Sequence, residues 1–263
     1  MTPTEIKNYI QNIDEIIGDI EYVHEFYSVH LKTERDILIW FPPSYFESNK
    51  EYPVLYMHDG QNLFDPHTSF TGYDWKVDEV TTKLIEENSV NEFIIVAIYN
   101  TTDRLDEYNY FTQKGKAYAR FIIKELKPFI DEKYRTIPKA SGTGLMGSSM
   151  GGLISFQLFW NFPKIFGKAA CMSNSFWVND RAVFKMVNDV DSLITLKNKL
   201  YIDCGTEEKE LLPDFIKMVK ILSEKNFEIE KNFHFYLAKG GHHSEVDWAK
   251  RLHIPLKFLF DKK

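Results

Sequence analysis

Short apolar runs separate polar stretches along the chain, and they predict buried strands. Pro53–Met57 and Phe93–Tyr99 are continuously apolar, which is typical of strands covered on both faces in a parallel sheet. Upstream, Tyr22–Leu31 and Arg35–Phe41 are rich in β-branched and aromatic residues, and they predict two earlier strands. Further strands are expected at Leu145-Met146, Lys168–Met172, Leu200–Cys204 and Phe233–Leu237.

Helical periodicity occupies several of the intervals between these runs. Tyr118–Tyr134 carries apolar residues at helical spacing, and Pro128 within it predicts a kink. Further helices are predicted at Met150–Trp160, Glu210–Lys225 and Glu245–Phe260. In the last of these helices, four residues are expected to face inward: Trp248, Leu252, Leu256 and Leu259.

The alternation of strands and helices from residue 53 onward indicates the fold class. It predicts an α/β protein with a mostly parallel central sheet, helices on both faces and antiparallel strands at the beginning of the chain. Neither a repeat nor a low-complexity linker interrupts the 263 residues. A single domain over 1–263 is therefore expected, with 1–20 as an N-terminal extension.

Charge and composition exclude several classes of function. The formal net charge is −6 and basic tracts are absent, which argues against a nucleic-acid partner. Apolar stretches of the ~20 residues that a membrane span requires are also absent, and the polar N-terminus does not resemble a secretory signal. We therefore expect no membrane association and a cytoplasmic location. Cys171 and Cys204 lie in apolar stretches and are predicted to be buried free thiols.

The pattern G-x-S-x-G spans residues 147–151, with Ser149 at its centre. It follows a predicted strand and opens a predicted helix, which is where the nucleophile elbow of an α/β-hydrolase lies. Residues two before and two after the serine approach each other in such a turn, so glycine fits both positions. Ser148 is the competing serine, but glycines do not flank it symmetrically. Ser149 is the predicted nucleophile, and it requires a base.

A late loop offers two candidates for the base. In α/β-hydrolases the acid and then the histidine follow the nucleophile along the chain. His242 and His243 lie on a glycine-containing loop after the predicted strand Phe233–Leu237. A histidine spacing typical of a metal site is missing, so neither a metal nor a cofactor is expected.

The loop after the predicted strand Leu200–Cys204 offers three candidates for the acid. Its role is to hold the imidazole in the correct tautomer and orientation. Glu208 is the first candidate, while Glu207 and Asp203 remain open.

Two backbone amides are predicted to stabilise the oxyanion. One belongs to Met150, the residue after the nucleophile. The other belongs to the loop after Pro53–Met57, where Gly60 lets the chain turn and Gln61 supplies the N–H.

Two further loops contain aromatic residues and follow core strands at their carboxyl ends, where open α/β sheets bind ligands. One spans 104–111, and the other contains Ser175-Phe176-Trp177. Such loops suit a sugar or aryl ester, or equally a hydrophobic cap.

Two motif blocks resemble the family of putative esterases. The blocks are YMHDGQNLFD at 56–65 and GSSMGG at 147–152, accompanied by Trp75. They are similar to those of esterase D-like enzymes, feruloyl and acetyl carbohydrate esterases, enterobactin esterases and mycolyltransferases, and the resemblance spans roughly 20–260. It implies an α/β-hydrolase fold and the hydrolysis or transfer of an acyl ester without a cofactor.

The resemblance also implies roles for individual residues of the triad. The late histidine of the family precedes a tryptophan by five residues, so Trp248 selects His243 over His242. The acid of the family often closes a G-T-x-(D/E) turn, which matches 205–208 and selects Glu208. The early oxyanion donor of the family matches the amide of Gln61.

An R-x-x-E-Y element near the substrate in the family matches Arg104, Glu107 and Tyr108. The proline that usually follows the tyrosine is missing here. These three residues and Trp177 are the expected contacts with the substrate.

The sequence thus predicts a serine carboxylic ester hydrolase that forms an acyl-enzyme on Ser149. The expected substrate is a small-molecule or oligosaccharide ester. Two alternatives are an acyltransferase with the same triad and a non-catalytic carbohydrate-binding protein on the same fold. The pattern does not fix the oligomeric state.

Overall fold

One sheet of eight strands organises the chain. The computed structural model describes residues 16–189, 193–225 and 227–262, so residues 1–15 of the predicted extension lie outside the described residues. The strands are β1 (Asp19–Ser28), β2 (Thr33–Phe41), β3 (Val54–His58), β4 (Ile94–Ile98), β5 (Thr143–Ser148), β6 (Lys168–Met172), β7 (Lys199–Gly205) and β8 (Phe233–Ala238).

Helices occupy most of the connections between these strands. They are α1 (Val77–Glu86), α2 (Arg104–Glu107), α3 (Gln113–Phe121), α4 (Lys127–Lys133), α5 (Met150–Asn161), α6 (Val178–Asp189), α7 (Leu212–Ser223), α8 (Glu245–Arg251) and α9 (His253–Phe260). The predicted strands Lys168–Met172 and Phe233–Leu237 thus correspond to β6 and β8, whereas α1, α2 and α6 were not predicted.

The strand order is β1-β2-β4-β3-β5-β6-β7-β8. β1 pairs antiparallel with β2, and β2 pairs antiparallel with β4. The remaining neighbours pair in parallel. The predicted fold class, mostly parallel with antiparallel strands at the beginning, is confirmed.

Two hydrophobic cores lie on opposite faces of the sheet. Along β4, Ile94, Val96 and Ile98 belong to one core, and Ile95 and Ala97 belong to the other. Residues of α3, α5 and α7 complete the first core, whereas α1, α8 and α9 complete the second. Because both faces of the sheet are covered, the central strands consist of unbroken apolar runs.

The strand order reverses at β3, which lies between β4 and β5. In open α/β sheets, ligands bind beyond the carboxyl ends of the strands at such a reversal. β3 ends at His58 and β5 ends at Ser148. The turn after His58 and the predicted nucleophile Ser149 therefore meet at the same edge of the sheet.

Two prolines interrupt predicted helices, and the first of these interruptions was expected from Pro128. Before Pro128, a π-helical turn at Ile122–Leu126 separates α3 from α4. The wider turn accommodates a ring that would otherwise crowd the carbonyl four residues earlier. The predicted helix Glu245–Phe260 is divided at Leu252 into α8 and α9, and Pro255 lies in the first turn of α9, where a missing N–H is tolerated.

Burial agrees with several expectations from the sequence. Cys171 and Cys204 are free and buried, as predicted. The four inward-facing positions of the last helical region are also buried: Trp248, Leu252, Leu256 and Leu259. In the described part of the chain, no helix combines the length and the apolar character needed to cross a membrane.

Candidate active site

Ser149 occupies the sharp turn between β5 and α5. Its φ of 56° and ψ of −119° lie in a region that residues other than glycine rarely adopt, so the backbone is strained there. The backbone N–H of Ser149 donates to the carbonyl of Met172 at 2.9 Å, and its carbonyl accepts from the N–H of Ser175 at 3.2 Å. The strand–turn–helix geometry expected around this serine is present.

The glycines that flank Ser149 are needed because the backbone folds tightly on itself. A Cβ atom on Gly147 would lie 2.6 Å from the carbonyl carbon of Gly151. A Cβ atom on Gly151 would lie 3.2 Å from both Asp59 Oδ2 and His58 Cβ. The close approach of these two glycines explains the spacing of the motif.

The two predicted oxyanion donors lie on backbone that suits the role. Met150 is the first residue of α5, so its N–H has no acceptor within the helix. Gln61 lies in a short 3-10 turn at Gly60–Asn62, and Gln61 and Ser149 line the same cavity. A Cβ atom on Gly60 would lie 2.8 Å from the carbonyl carbon of Ala97, so glycine lets this turn pack against the end of β4.

His243 and Glu208 form a hydrogen-bonded pair. The Nδ1 atom of His243 lies 2.7 Å from Oε1 of Glu208. The Glu208 side chain is buried, whereas 40% of the His243 side chain is exposed. The imidazole also contacts the ring of Trp248 edge to face, with 4.9 Å between ring centroids. The Glu208 carboxylate is therefore fixed inside the protein while His243 reaches the cavity.

The charge of Glu208 determines the tautomer of His243. Burial opposes ionisation, but hydrogen bonds from His243, the Gly205 N–H and Ser173 outweigh it and hold the pKa of Glu208 below its ordinary value. A charged carboxylate is only an acceptor, so Nδ1 of His243 carries the proton that it donates. The lone pair of neutral His243 is then on Nε2, which is the arrangement a general base requires.

The other acid candidates occupy different environments. Asp203 is buried and accepts from Arg251 at 2.9 and 3.0 Å and from the Tyr201 hydroxyl at 2.9 Å. Burial raises the pKa of Asp203, although its ion pair with Arg251 opposes the shift. Glu207 is exposed. The geometry thus joins Glu208, and neither alternative, to a histidine.

Two cavities meet at Ser149. The larger, of about 470 Å³, is lined by Ser149, Ser175, Trp177, Glu207, Glu208, Lys209, Glu210, Leu211 and His243. The smaller, of about 350 Å³, is lined by Asp59, Gln61, Asn62, Phe70, Asn100, Arg104, Ser148, Ser149, His243, Glu245 and Trp248. Ser149 and His243 line both cavities, so a substrate bound across them reaches the serine, the imidazole and the Gln61 turn.

No cluster of three or more His, Cys, Asp or Glu side chains suited to a metal ion occurs within the described ranges. His58, at the end of β3, is a buried neutral imidazole, since burial lowers its pKa to about 3. Its Nδ1 atom lies 2.9 Å from the hydroxyl of Tyr118. His58 therefore packs beneath Gly151, next to the turn that carries Ser149.

Residues 28–259 match the family described as Putative esterase. The chain belongs to this family. It is a carboxylic ester hydrolase on an α/β-hydrolase fold, and the resemblance stated from the motif blocks is confirmed.

Individual relatives of the esterase are distant in sequence. The Bacillus subtilis (strain 168) protein YbbA is 25% identical over 255 residues, which are 89% of this chain and 96% of YbbA. An IroE-like serine hydrolase from Shewanella oneidensis has a TM-score of 0.71 at 21% identity, over 92% of this chain and 80% of that one. A ferulic acid esterase has a TM-score of 0.74 at 22% identity, over 93% and 98%. These two structures share the fold of the esterase.

Arg104 lies on the wall of the smaller cavity of the esterase. Its Nε and Nη2 atoms donate to the two carboxylate oxygens of Asp59 at 2.7 and 2.8 Å. Asn100 also donates to Asp59, at 2.5 Å, and the guanidinium lies over the ring of Tyr108. Arg104 thus reaches the cavity and also braces the turn that carries Gln61.

Glu107 and Tyr108 lie behind the cavity wall, which corrects the expectation that they contact the substrate. Glu107 is buried in a paired interaction with Arg35, whose Nη1 and Nη2 atoms donate at 3.1 and 2.8 Å. Tyr108 is also fully buried, and its hydroxyl accepts from the backbone N–H of Asp59 at 3.2 Å. Both residues are absent from the lining of the two cavities. They support the site from within the protein.

Trp177, an expected substrate contact, lies on the wall of the larger cavity, and 53% of its surface is exposed. Two serines of the same loop were not predicted as site residues. Ser175 Oγ lies 3.2 Å from Ser149 Oγ, and Ser173 Oγ lies 2.9 Å from Glu208 Oε2. Their position in a loop after a core strand was the only feature of the sequence that could have indicated these two serines, because single serines have no distinctive spacing.

Proposed function

We propose that this esterase uses a Ser149–His243–Glu208 triad and forms an acyl-enzyme on Ser149. The observation that carries the proposal is the 2.7 Å contact of His243 Nδ1 with the buried Glu208. This contact leaves Nε2 of His243 free to act as a base in the cavities that Ser149 also lines. Strained serine, oriented imidazole and buried carboxylate are the three parts that serine esterases require.

In the first step, Ser149 Oγ attacks the carbonyl carbon of the ester. His243 Nε2 takes the hydroxyl proton, and Glu208 stabilises the resulting imidazolium. The carbonyl oxygen becomes an oxyanion, to which the N–H groups of Gln61 and Met150 donate. Each such donor contributes about 3 kcal/mol to transition-state stabilisation, and the N-terminus of α5 adds a favourable dipole.

The tetrahedral intermediate then loses its alcohol. The C–O bond of the ester breaks, and His243 gives its proton to the departing oxygen, which leaves the acyl group on Ser149. Water enters, His243 removes one of its protons, and the hydroxide oxygen attacks the acyl carbon. Collapse of the second intermediate returns the proton to Ser149 and releases the carboxylic acid.

The substrate is proposed to be a small or carbohydrate-linked ester, with an aromatic acyl group preferred. Trp177 offers a half-exposed indole beside Ser149, and such a ring packs well against aryl or sugar rings. One of the similar structures is a ferulic acid esterase, which agrees with an aromatic acyl group. The combined cavities suit one such group with its alcohol.

The test compares two serine variants on two esters. Ser149→Ala is expected to lower kcat for 4-nitrophenyl acetate by about 10⁶-fold, whereas Ser148→Ala, the matched neighbour, keeps turnover. Parental turnover in Ser149→Ala would assign the nucleophile elsewhere. The parent protein is also expected to have a higher kcat/KM for methyl ferulate than for methyl acetate, and the reverse order would reject the aromatic preference.

A further inference from the structure

The hydroxyl of Ser173 contacts the carboxylate of Glu208. Ser173 directly follows β6, is fully buried and has a φ of 44°, which glycine adopts more easily than serine. Three side chains contact its Oγ atom: Glu208 Oε2 at 2.9 Å, Trp248 Nε1 at 2.9 Å and Arg251 Nη2 at 2.7 Å. A strained serine with three buried polar contacts marks a position where the hydroxyl itself is needed.

The direction of the Ser173 hydroxyl follows from the chemistry of its neighbours. The indole N–H of Trp248 and the guanidinium N–H of Arg251 can only donate. They occupy both lone pairs of the Ser173 oxygen. The single hydroxyl proton therefore points at Glu208, which is the one acceptor among the three contacts.

This proton restricts both the charge and the rotation of Glu208. Oε2 of Glu208 accepts from Ser173 and from the backbone N–H of Gly205. Oε1 remains for His243. A carboxylate surrounded by three donors is stabilised in its charged form, and two donors on one oxygen prevent the group from turning away from the imidazole.

The donors to Ser173 are themselves fixed. Arg251 donates through Nε and Nη2 to the two oxygens of Asp203 at 2.9 and 3.0 Å. Asp203 also accepts from the backbone N–H of Ser173 at 2.9 Å. Trp248 packs against His243. The network therefore runs from a buried ion pair through Ser173 to the triad acid, and it gives a physical reason for a tryptophan five residues after the histidine.

The geometry points to Ser173 as a positioning residue that holds Glu208 charged and oriented toward His243, with Arg251 and Trp248 setting the direction of its hydroxyl. This inference rests on the proposed triad and adds a fourth residue to it. Ser173 does not touch the substrate, and its effect passes through Glu208.

Ser173→Gly is the variant that tests this role. Glycine accepts the φ of 44° without strain, so the substitution removes the hydroxyl and leaves the backbone relaxed. We expect kcat to fall by about 10- to 100-fold because the acid loses its alignment, while KM changes less than twofold. Ser155→Ala is the matched control, since Ser155 is equally buried and its hydroxyl donates to the Gly151 carbonyl, away from Glu208.

The value of kcat is calculated per active site. The active sites are counted by complete labelling with a fluorophosphonate, so that unfolded protein does not lower kcat. A second readout is the far-downfield proton resonance that an imidazole N–H gives in a short hydrogen bond to a carboxylate. It is expected in the parent and in Ser155→Ala, and it is expected to be lost or shifted upfield in Ser173→Gly.

Parental kcat and an unmoved resonance in Ser173→Gly would overturn the inference and assign Ser173 a purely structural role. A fall in kcat that Ser155→Ala shares would overturn it as well. If the parent itself fails to label at Ser149, the proposed function is rejected instead. The resonance still decides the role of Ser173 in that case, because it does not depend on turnover.

Discussion

Glu208 is the residue on which the orientation of His243 depends. Its two oxygens accept from His243, Ser173 and the Gly205 N–H. Because Ser173 and Gly205 both donate to Oε2, a glutamine at this position keeps its carbonyl oxygen there and presents its N–H₂ to His243. That group cannot accept from Nδ1–H, so the imidazole loses the tautomer that a general base requires.

We therefore expect Glu208→Gln to lower kcat by about 10⁴-fold, the effect known for losing the acid of a triad. Glu207→Gln is the matched control, because Glu207 is adjacent and exposed. Steady-state hydrolysis of 4-nitrophenyl acetate measures both variants. An equal loss in the two variants would contradict the assignment of Glu208.

The sequence singled out the residues of the proposed triad because each lies in a distinctive local pattern. Ser149 is marked by its glycines, and His243 by a late loop and by Trp248. Glu208 was separated from Glu207 and Asp203 only through a family turn. Ser173 was beyond prediction, because its role depends on Glu208 and Arg251, which are distant in the sequence.

At the scale of elements, the junction of β5 and α5 holds Ser149, the proposed nucleophile. Gly147→Ala would place a Cβ atom 2.6 Å from the backbone of Gly151, so the turn must open. We expect kcat to fall by about 10²-fold or more, since a displacement near 1 Å has that effect.

The control for Gly147→Ala lies in the same strand. The nearest atom to a Cβ on Gly144 would be the flexible end of the Leu55 side chain, at 3.1 Å, and the next would be Lys168 Cβ at 3.5 Å, an ordinary contact. Gly144→Ala is therefore expected to keep activity within about threefold. Thermal melting accompanies the kinetics of both variants. Full activity in Gly147→Ala would show that the tight turn is not required.

A buried ion pair connects β2 with α2. Arg35 and Glu107 are both buried, so Arg35→Met leaves a carboxylate without its partner. We expect the free energy of unfolding to fall by about 3–5 kcal/mol in urea titrations. The double variant Arg35→Met/Glu107→Leu should recover much of this loss, because replacing both charges is often neutral. A double variant no more stable than the single one would contradict this interpretation.

Strands and helices were predictable where the apolar pattern was strong. They were less predictable where backbone constraints determine the end of an element. The buried runs of β3, β4 and β6 were located within a residue or two. The π-helical turn before Pro128 and the break at Leu252 arise from proline rings against particular carbonyls. Pro128 predicted a kink in the first helix, whereas the pattern of apolar residues continues through Leu252 and did not reveal the second break.

At the scale of the whole molecule, the ionisation of Glu208 makes the stability of the fold at low pH depend on a residue of the candidate active site. Its pKa is lower in the folded protein than the ~4.3 of an unfolded chain, so its charge stabilises the fold. This contribution is complete above ~4.3 and is lost as the pH falls through the lower folded-state pKa.

We expect the difference in unfolding free energy between the parent and Glu208→Gln to shrink as the pH falls below about 4, because the Glu208 carboxylate is then protonated. Urea unfolding followed by circular dichroism between pH 3 and pH 7 measures it. Comparing the two proteins cancels the opposite shift of Asp203, whose pKa burial raises. A difference that does not vary with pH would contradict the assigned shift of Glu208.

The fold class followed from the alternation of apolar strands and amphipathic helices, because parallel strands must be buried on both faces. The strand order did not follow from that pattern. It depends on which strands pair across long stretches of sequence, and the reversal at β3 brings the Gln61 turn beside Ser149. Arg104 was located in the site from the family element, whereas the burial of Glu107 depends on its distant partner Arg35.

The most direct test of the central claim is to map the adduct of a fluorophosphonate probe by peptide mass spectrometry. We predict one adduct, on Ser149, formed rapidly in the parent and far more slowly in Glu208→Gln. An adduct on Ser148 or Ser175, or an unlabelled and fully active parent, would contradict it.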